Sequence, residues 1–188
     1  MGNRKSKSHA VKQEPFLQTR NGKIISGIVG FIILVSVILG YAATHPKSDK
    51  ISIKTSKGTI MIEVYPTLTP VTVQNFERLV KEKFYNGLTF HRVEKELIQG
   101  GDPEGNGMGG PGWTIPLEIS PGLKNVRGAV AMARGQDPNS AGSQFYILKK
   151  DLPSLDGQYA VFGRVIKGMD VVDKIKAGDK MMTVKLER

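Results

Sequence analysis

Few groups in this chain could do chemistry, and one arginine stands out among them. The 188 residues contain no cysteine, which removes thiolate nucleophiles, disulfides and zinc–thiolate sites. Of the three histidines, His9, His45 and His91, only His91 lies in the stretch patterned to fold. One histidine without a thiol does not make a metal site. No G-x-S-x-G elbow accompanies it either, so a serine hydrolase finds no support. Arg92, taken alone, reads as an exposed strand arginine in a weak ion pair, the commoner case, but its position between His91 and the run Gln99-Gly100-Gly101-Asp102 argues for more. Arginine is permanently charged and carries a planar fork of donors. If neighbours hold it rigid, it can stabilise developing charge with no cofactor and no proton transfer.

The other conspicuous run is glycine-rich, from Gly100 to Gly112. Gly105-Asn106-Gly107-Met108-Gly109-Gly110 formally satisfies G-x-G-x-x-G. A dinucleotide site needs a helix after that run, aimed at the pyrophosphate. Pro111 and then Trp113-Thr114-Ile115-Pro116 follow instead. The run is therefore expected to be a surface loop needing positive φ at several positions.

The net charge of +10 belongs partly to one end of the chain. Residues 1–23 carry Arg4, Lys5, Lys7, Lys12, Arg20 and Lys23 against Glu14 alone. Residues 51–188 carry 19 Lys or Arg against 15 Asp or Glu, a mixed and solvated pattern. No basic helix or aromatic–basic stripe supports nucleic-acid binding by the domain.

Residues 24–43 hold no charge. Twenty helical residues rise about 30 Å, the thickness of a bilayer's hydrocarbon core, so a transmembrane helix is expected there. A cleaved signal peptide is the rival reading, with Gly40-Tyr41-Ala42 as a small-x-small site. The span exceeds the usual 7–15 residues of a signal h-region, and residues 1–23 form a long n-region. The basic excess on the N-terminal side keeps that end in the cytoplasm and places the domain across the membrane. Met1-Gly2-Asn3-Arg4-Lys5-Ser6 also fits the myristoylation pattern of eukaryotic cells. The organisation expected is a basic disordered tail over 1–23, a transmembrane helix over 24–43, a polar linker over 44–50 and a folded domain over 51–188.

In the domain, Ile51–Thr55 and Thr59–Val64 flank Ser56-Lys57-Gly58, which predicts a hairpin. Thr69 as N-cap and Pro70 in the first turn start a helix over Val71–Lys83, with Val73, Phe76, Val80 and Phe84 on one face. Leu88–Val93, Glu96–Gln99, Ala129–Ala133, Gln144–Leu148, Ala160–Val165 and Met182–Leu186 read as short strands, and Gly168–Ile175 as a second helix. Many short strands with two helices predict a mainly β fold: a closed antiparallel barrel capped by helices, since closure removes exposed edges.

Phe90-His91-Arg92-Val93, Gln99-Gly100-Gly101-Asp102, Met132-Ala133-Arg134 and Asn139-Ser140-Ala141-Gly142-Ser143-Gln144-Phe145-Tyr146, in this order, resemble the cyclophilin family of peptidyl-prolyl cis-trans isomerases from about Ile51 to Arg188. The resemblance implies an eight-stranded barrel, no cofactor or metal, and proline-containing polypeptides as substrates. Arg92 matches the family's catalytic arginine and Gln99 the glutamine that holds it. It further implies a proline pocket of Leu97, Ala133, Tyr146, Leu155 and Tyr159, with Gln144 and the backbone at Arg134 holding the substrate's main chain. His91 is expected to pack beside the site. With the anchor, the whole reads as an isomerase serving proteins outside the cytoplasm. The alternative is a proline-segment-binding chaperone or scaffold with little catalysis.

The chain departs from the family in four places. Between Arg92 and Gln99 it is one residue shorter, and the pocket phenylalanine is missing, with Glu96 nearest its place. Ser154 stands where relatives carry Trp or His, a position linked to cyclosporin, so weak or no cyclosporin binding is expected. Tyr159 replaces a common His and Tyr146 a common Phe, each keeping an apolar face.

Overall fold

A computed structural model describes residues 29–31, 33 and 49–187. Among them, eight strands form one antiparallel sheet: β1 Asp49–Thr55, β2 Gly58–Val64, β3 Arg92–Val93, β4 Leu97–Gly100, β5 Ala129–Met132, β6 Phe145–Leu148, β7 Val161–Lys167 and β8 Thr183–Glu187. Helix α1 spans Pro70–Lys81 and α2 Met169–Lys174, and a 3-10 turn covers Pro153–Leu155. Within the expected span 24–43, only Val29, Gly30, Phe31 and Ile33 are described, all helical and exposed. The rest of that span, the tail 1–23 and residues 44–48 of the linker lie outside the described residues. No helix among those described is long and apolar enough to cross a membrane.

The strand order β3-β4-β6-β5-β7-β2-β1-β8 leaves β3 and β8 as unpaired edges. The expected closed barrel is thus corrected to a curled, open sheet. The reason lies in residues 88–90, expected to belong to the strand of which only β3 formed. They leave the β4 ladder and bind the segment before β8 instead. Phe90 N–H donates to Asp179 O at 2.9 Å, Met181 N–H to Leu88 O at 2.8 Å, and Gly178 N–H to Phe90 O at 3.0 Å. Irregular backbone therefore bridges the gap and satisfies groups that a closed ladder would have paired.

Strand residues alternate between two faces. Ile98, Val130, Met132, Phe145 and Ile147 point into the main core with Ile51, Ile53, Ile60 and Ile62. There Phe76 of α1 packs on Tyr85, Phe145 and Phe162 with ring centroids 4.9, 5.2 and 4.9 Å apart. Leu97, Ala129, Ala131, Tyr146, Leu148 and Val161, one residue out of phase, build a smaller cluster on the opposite face.

Helix α1 starts and stops differently from its sequence signals. Thr69 makes no side-chain cap; its Oγ1 donates to Tyr65 O at 3.4 Å. The first-turn N–H groups are satisfied by Glu118, whose carboxylate accepts from Thr72 N–H at 2.9 Å and Val71 N–H at 3.3 Å. That placement also favours negative charge at a helix N-terminus. At the other end, Lys83 adopts φ 58°, Lys83 N–H returns to Val80 O and Phe84 N–H to Leu79 O. This Schellman ending stops the helix at Lys81.

Candidate active site

The site forms on the sheet's second face because of register. Arg92 pairs with Gln99, Gln99 with Tyr146, Tyr146 with Ala131, and Ala131 with Val161. Cross-strand partners share a face, so these residues make one row across five strands. At one end the row is apolar, and Leu123, Ala133, Leu152, Leu155 and Tyr159 pack against it. At the other end it is polar, and Arg92 is half exposed, with 51% of its side chain open to solvent.

A chain of side-chain hydrogen bonds runs inward from the guanidinium. Arg92 Nη1 donates to Gln99 Oε1 at 3.2 Å, and Gln99 Nε2 donates to Gln144 Oε1 at 2.9 Å. Gln144 Nε2 then donates to Gly107 O at 3.0 Å and Gly109 O at 2.9 Å. Gln144 was expected to hold a substrate's main chain; here both ends of its amide are engaged with Gln99 and the glycine-rich loop. Arg92 Nε also donates to Glu94 Oε1 at 2.8 Å.

The glycine-rich run is a loop with no helix after it, which removes the nucleotide reading. It is organised around Asp102, which is 1% exposed. Burial alone raises this carboxyl, but N–H groups of Glu104, Gly107 and Gly105, with nearby His91, outweigh it and hold the group below its usual range. A Cβ at Gly109 would overlap Asp102 Oδ1, and one at Gly101, where φ is 85°, would overlap Ser143 O. From the other side, Asn75 of α1 donates to Gly142 O and accepts from Trp113 Nε1, each at 2.8 Å. A cleft of about 600 Å³ opens between this loop and Arg134, with Gln99, Ala133 and Gln144 in its wall.

The pocket residues that the resemblance implies come together. Leu97 and Tyr146 are buried, and Ala133, Leu155 and Tyr159 are partly buried against them. The Tyr146 and Tyr159 rings meet edge to face at 5.8 Å. Arg134 lays its guanidinium 4.9 Å from the Tyr159 ring centre, and its Nε donates to Gln158 O at 3.0 Å. The Tyr146 hydroxyl donates to Asn125 Oδ1 at 2.7 Å. His91 is half-buried, and neither ring nitrogen has a hydrogen-bond partner among the described residues. Burial lowers its pKa, Asp102 opposes that and Arg92 reinforces it. Glu96, nearest the missing phenylalanine, turns to Lys150 at 2.7 Å.

Glu94 and Asn125 are site residues that the sequence reading missed. Glu94 had a usable signal: it lies two residues after Arg92, the spacing at which extended chain returns a side chain to the same face. Asn125 had none, because its partners are 21 and 31 residues away.

Known proteins agree with this architecture. The family model for cyclophilin type peptidyl-prolyl cis-trans isomerases matches residues 50–187. A Helicobacter pylori peptidyl-prolyl cis-trans isomerase is 46% identical over 143 residues, 73% of this chain and 86% of that protein. Peptidyl-prolyl cis-trans isomerase B of Bacillus subtilis is 44% identical over 131 residues, 68% of this chain and 90% of that protein. A crystal structure of a Cryptosporidium parvum cyclophilin type isomerase superposes with TM-score 0.71 at 30% identity, covering 76% of this chain and 99% of that one. The same enzyme in the presence of the dipeptide Ala-Pro gives TM-score 0.69 at 31% identity, covering 74% and 99%. With the register, the curled sheet and the sequence matches in agreement, this chain belongs to the cyclophilin-type peptidyl-prolyl cis-trans isomerases.

Proposed function

We propose that the enzyme isomerises X-Pro bonds with Arg92 as its catalytic residue, acting on proteins outside the cytoplasm while anchored by residues 24–43. Amide resonance sets the uncatalysed barrier at about 18–20 kcal/mol, and spontaneous isomerisation takes roughly 10–100 s. A turnover of about 1–10³ s⁻¹ requires removing on the order of 3–7 kcal/mol. In the planar amide the prolyl nitrogen shares its lone pair with the carbonyl. As the bond twists, that pair localises on nitrogen, and an N–H of Arg92 can bind it there. The donor thus favours the twisted state over either planar ground state, which is the requirement for catalysis. No covalent bond breaks, and no metal or cofactor has a step.

The observation carrying this reading is the chain Arg92–Gln99–Gln144, which fixes a charged donor at the rim of an apolar pocket. Leu97, Ala133, Tyr146, Leu155 and Tyr159 hold the proline ring, and the backbone of Arg134 holds the neighbouring residues. The missing aromatic wall supports the second reading, a module that binds proline segments with little catalysis. The same loss, with Ser154, underlies the expectation of weak cyclosporin binding. Isomerisation of a prolyl peptide by the full-length chain, wild type and Arg92→Ala, separates the two readings. The enzyme reading expects kcat/KM to fall about ten-fold or more. An unchanged rate in a folded variant would assign the work to another group.

A further inference from the structure

The loop between Arg92 and Gln99, shortened relative to the family, places a carboxylate directly on the catalytic fork. Arg92 and Val93 pair with Gln99 and Ile98, and Glu94 N–H closes on Leu97 O at 2.8 Å. Lys95 and Glu96 are left as the two residues at the tip. Glu94 directly follows β3 in this tight hairpin, and its carboxylate lies on the side of Arg92, whose Nε donates to it at 2.8 Å. The hairpin's backbone is fixed by Lys149, just after β6: Lys149 Nζ donates to Glu94 O at 2.9 Å, and Lys149 N–H donates to Glu96 O at 2.7 Å.

We propose that Glu94 is the positioning residue of Arg92 and, with Gln99, sets the orientation from which the guanidinium meets its substrate. The proposal rests on the reading of Arg92 as catalytic. A guanidinium has five N–H donors. Glu94 takes the Nε–H and Gln99 takes one on Nη1, so two acceptors on adjacent sides stop rotation about the terminal torsions. The remaining N–H groups are left for the prolyl nitrogen. Gln99 alone, at 3.2 Å, holds only one corner of a side chain with large rotamer freedom. Glu94 opposes part of the fork's charge, but its side chain is 43% exposed and solvent screens that effect. Glu94 therefore helps through geometry, and a neutral acceptor in its place should do most of the same work.

The test is isomerisation kinetics of the full-length chain carrying Glu94→Ala, Glu94→Gln, Arg92→Ala, or Arg92→Ala with Glu94→Ala. Glu94→Ala should lower kcat about three- to ten-fold with little change in KM. Glu94→Gln should recover most of that loss, because its amide oxygen accepts the same N–H. In the Arg92→Ala background, removing Glu94 should cost nothing further, since the two act as one unit. A wild-type or faster rate in Glu94→Ala, or an equal loss without Arg92, overturns the proposal. If Arg92→Ala itself keeps the wild-type rate, the reading of Arg92 falls and this one with it. If only Glu94→Ala keeps it, this one alone falls.

Discussion

The Tyr146 hydroxyl and the Asn125 side chain meet at 2.7 Å beside the apolar pocket of Leu97, Leu155 and Tyr159, with both residues buried. Asn125 in turn donates from its N–H and Nδ2 to Asp156 Oδ1 at 2.7 and 3.2 Å, and its carbonyl accepts Leu152 N–H at 2.8 Å. The two ends of the turn carrying Leu155 are therefore tied to the pocket floor through one asparagine. A phenylalanine at 146 would fill the same volume and leave Asn125 Oδ1 without that donor.

Tyr146→Phe accordingly tests whether the tie matters. Leaving a buried acceptor unpaired costs about 1–3 kcal/mol, which should appear as a lower midpoint in urea. A looser Leu155 turn should also raise KM for a prolyl peptide more than it lowers kcat. Unchanged stability and KM would make the hydroxyl an idle substitution.

Acid should weaken the fold in two stages. His91 has its pKa lowered by burial, so below its unfolded value of about 6.5 the unfolded chain binds a proton that the folded one refuses. Asp102 is held below its ordinary range, so its contribution is present above about pH 3.9 and lost as pH falls through the folded value. Both give the unfolded state more protons, and stability must fall with pH. Urea unfolding followed from pH 7 down to about pH 2 measures it. Asp102→Asn should be less stable at pH 7 and show a shallower loss below pH about 4. Stability that stays flat or rises on acidification would contradict the assignment.

What the sequence made legible was local or periodic. Alternating apolar residues located most strands within a residue or two, and the motif blocks brought Arg92, Gln99, Gln144 and Tyr146 onto one surface. Interactions between distant segments were hidden. Glu118 caps α1 from 46 residues away, which no capping signal near Thr69 could reveal. Residues 88–90 have the composition of a strand continuing into Arg92, yet their hydrogen bonds go to residues 178–181. Backbone pairing is a choice among partners that composition does not encode, and here it decided between a closed barrel and an open one.

Cyclosporin binding should be weak. Ser154 sits exposed in the 3-10 turn, where its carbonyl accepts Gln158 Nε2 at 2.6 Å, and offers only a small side chain where the family resemblance leads one to expect a bulky one. Glu96, at the lost aromatic wall, is paired with Lys150. Losing a packed aromatic contact and a hydrogen bond costs a few kcal/mol, about two decades of affinity or more. Calorimetry giving a low-nanomolar Kd would show that other residues rebuild the wall.

Topology is the remaining prediction, and it rests on the chain outside the folded domain. Residues 1–23 should stay cytoplasmic while 51–188 lie across the membrane, joined by an intact helix over 24–43. Three features motivate this: the uncharged twenty-residue span, the six basic residues before it, and Lys47 and Lys50 as the nearest ones after it. Leu34→Arg near the middle of the span should cost roughly 2.5–3.5 kcal/mol of insertion free energy and reduce the membrane-bound fraction. Protease protection in sealed vesicles of known orientation, with a tag at each end, tests the arrangement. A C-terminal tag digested from the cytoplasmic face overturns the orientation. A mature chain beginning near Ala43 replaces the anchor with a cleaved signal, and the enzyme would then be released to act on its substrates in solution.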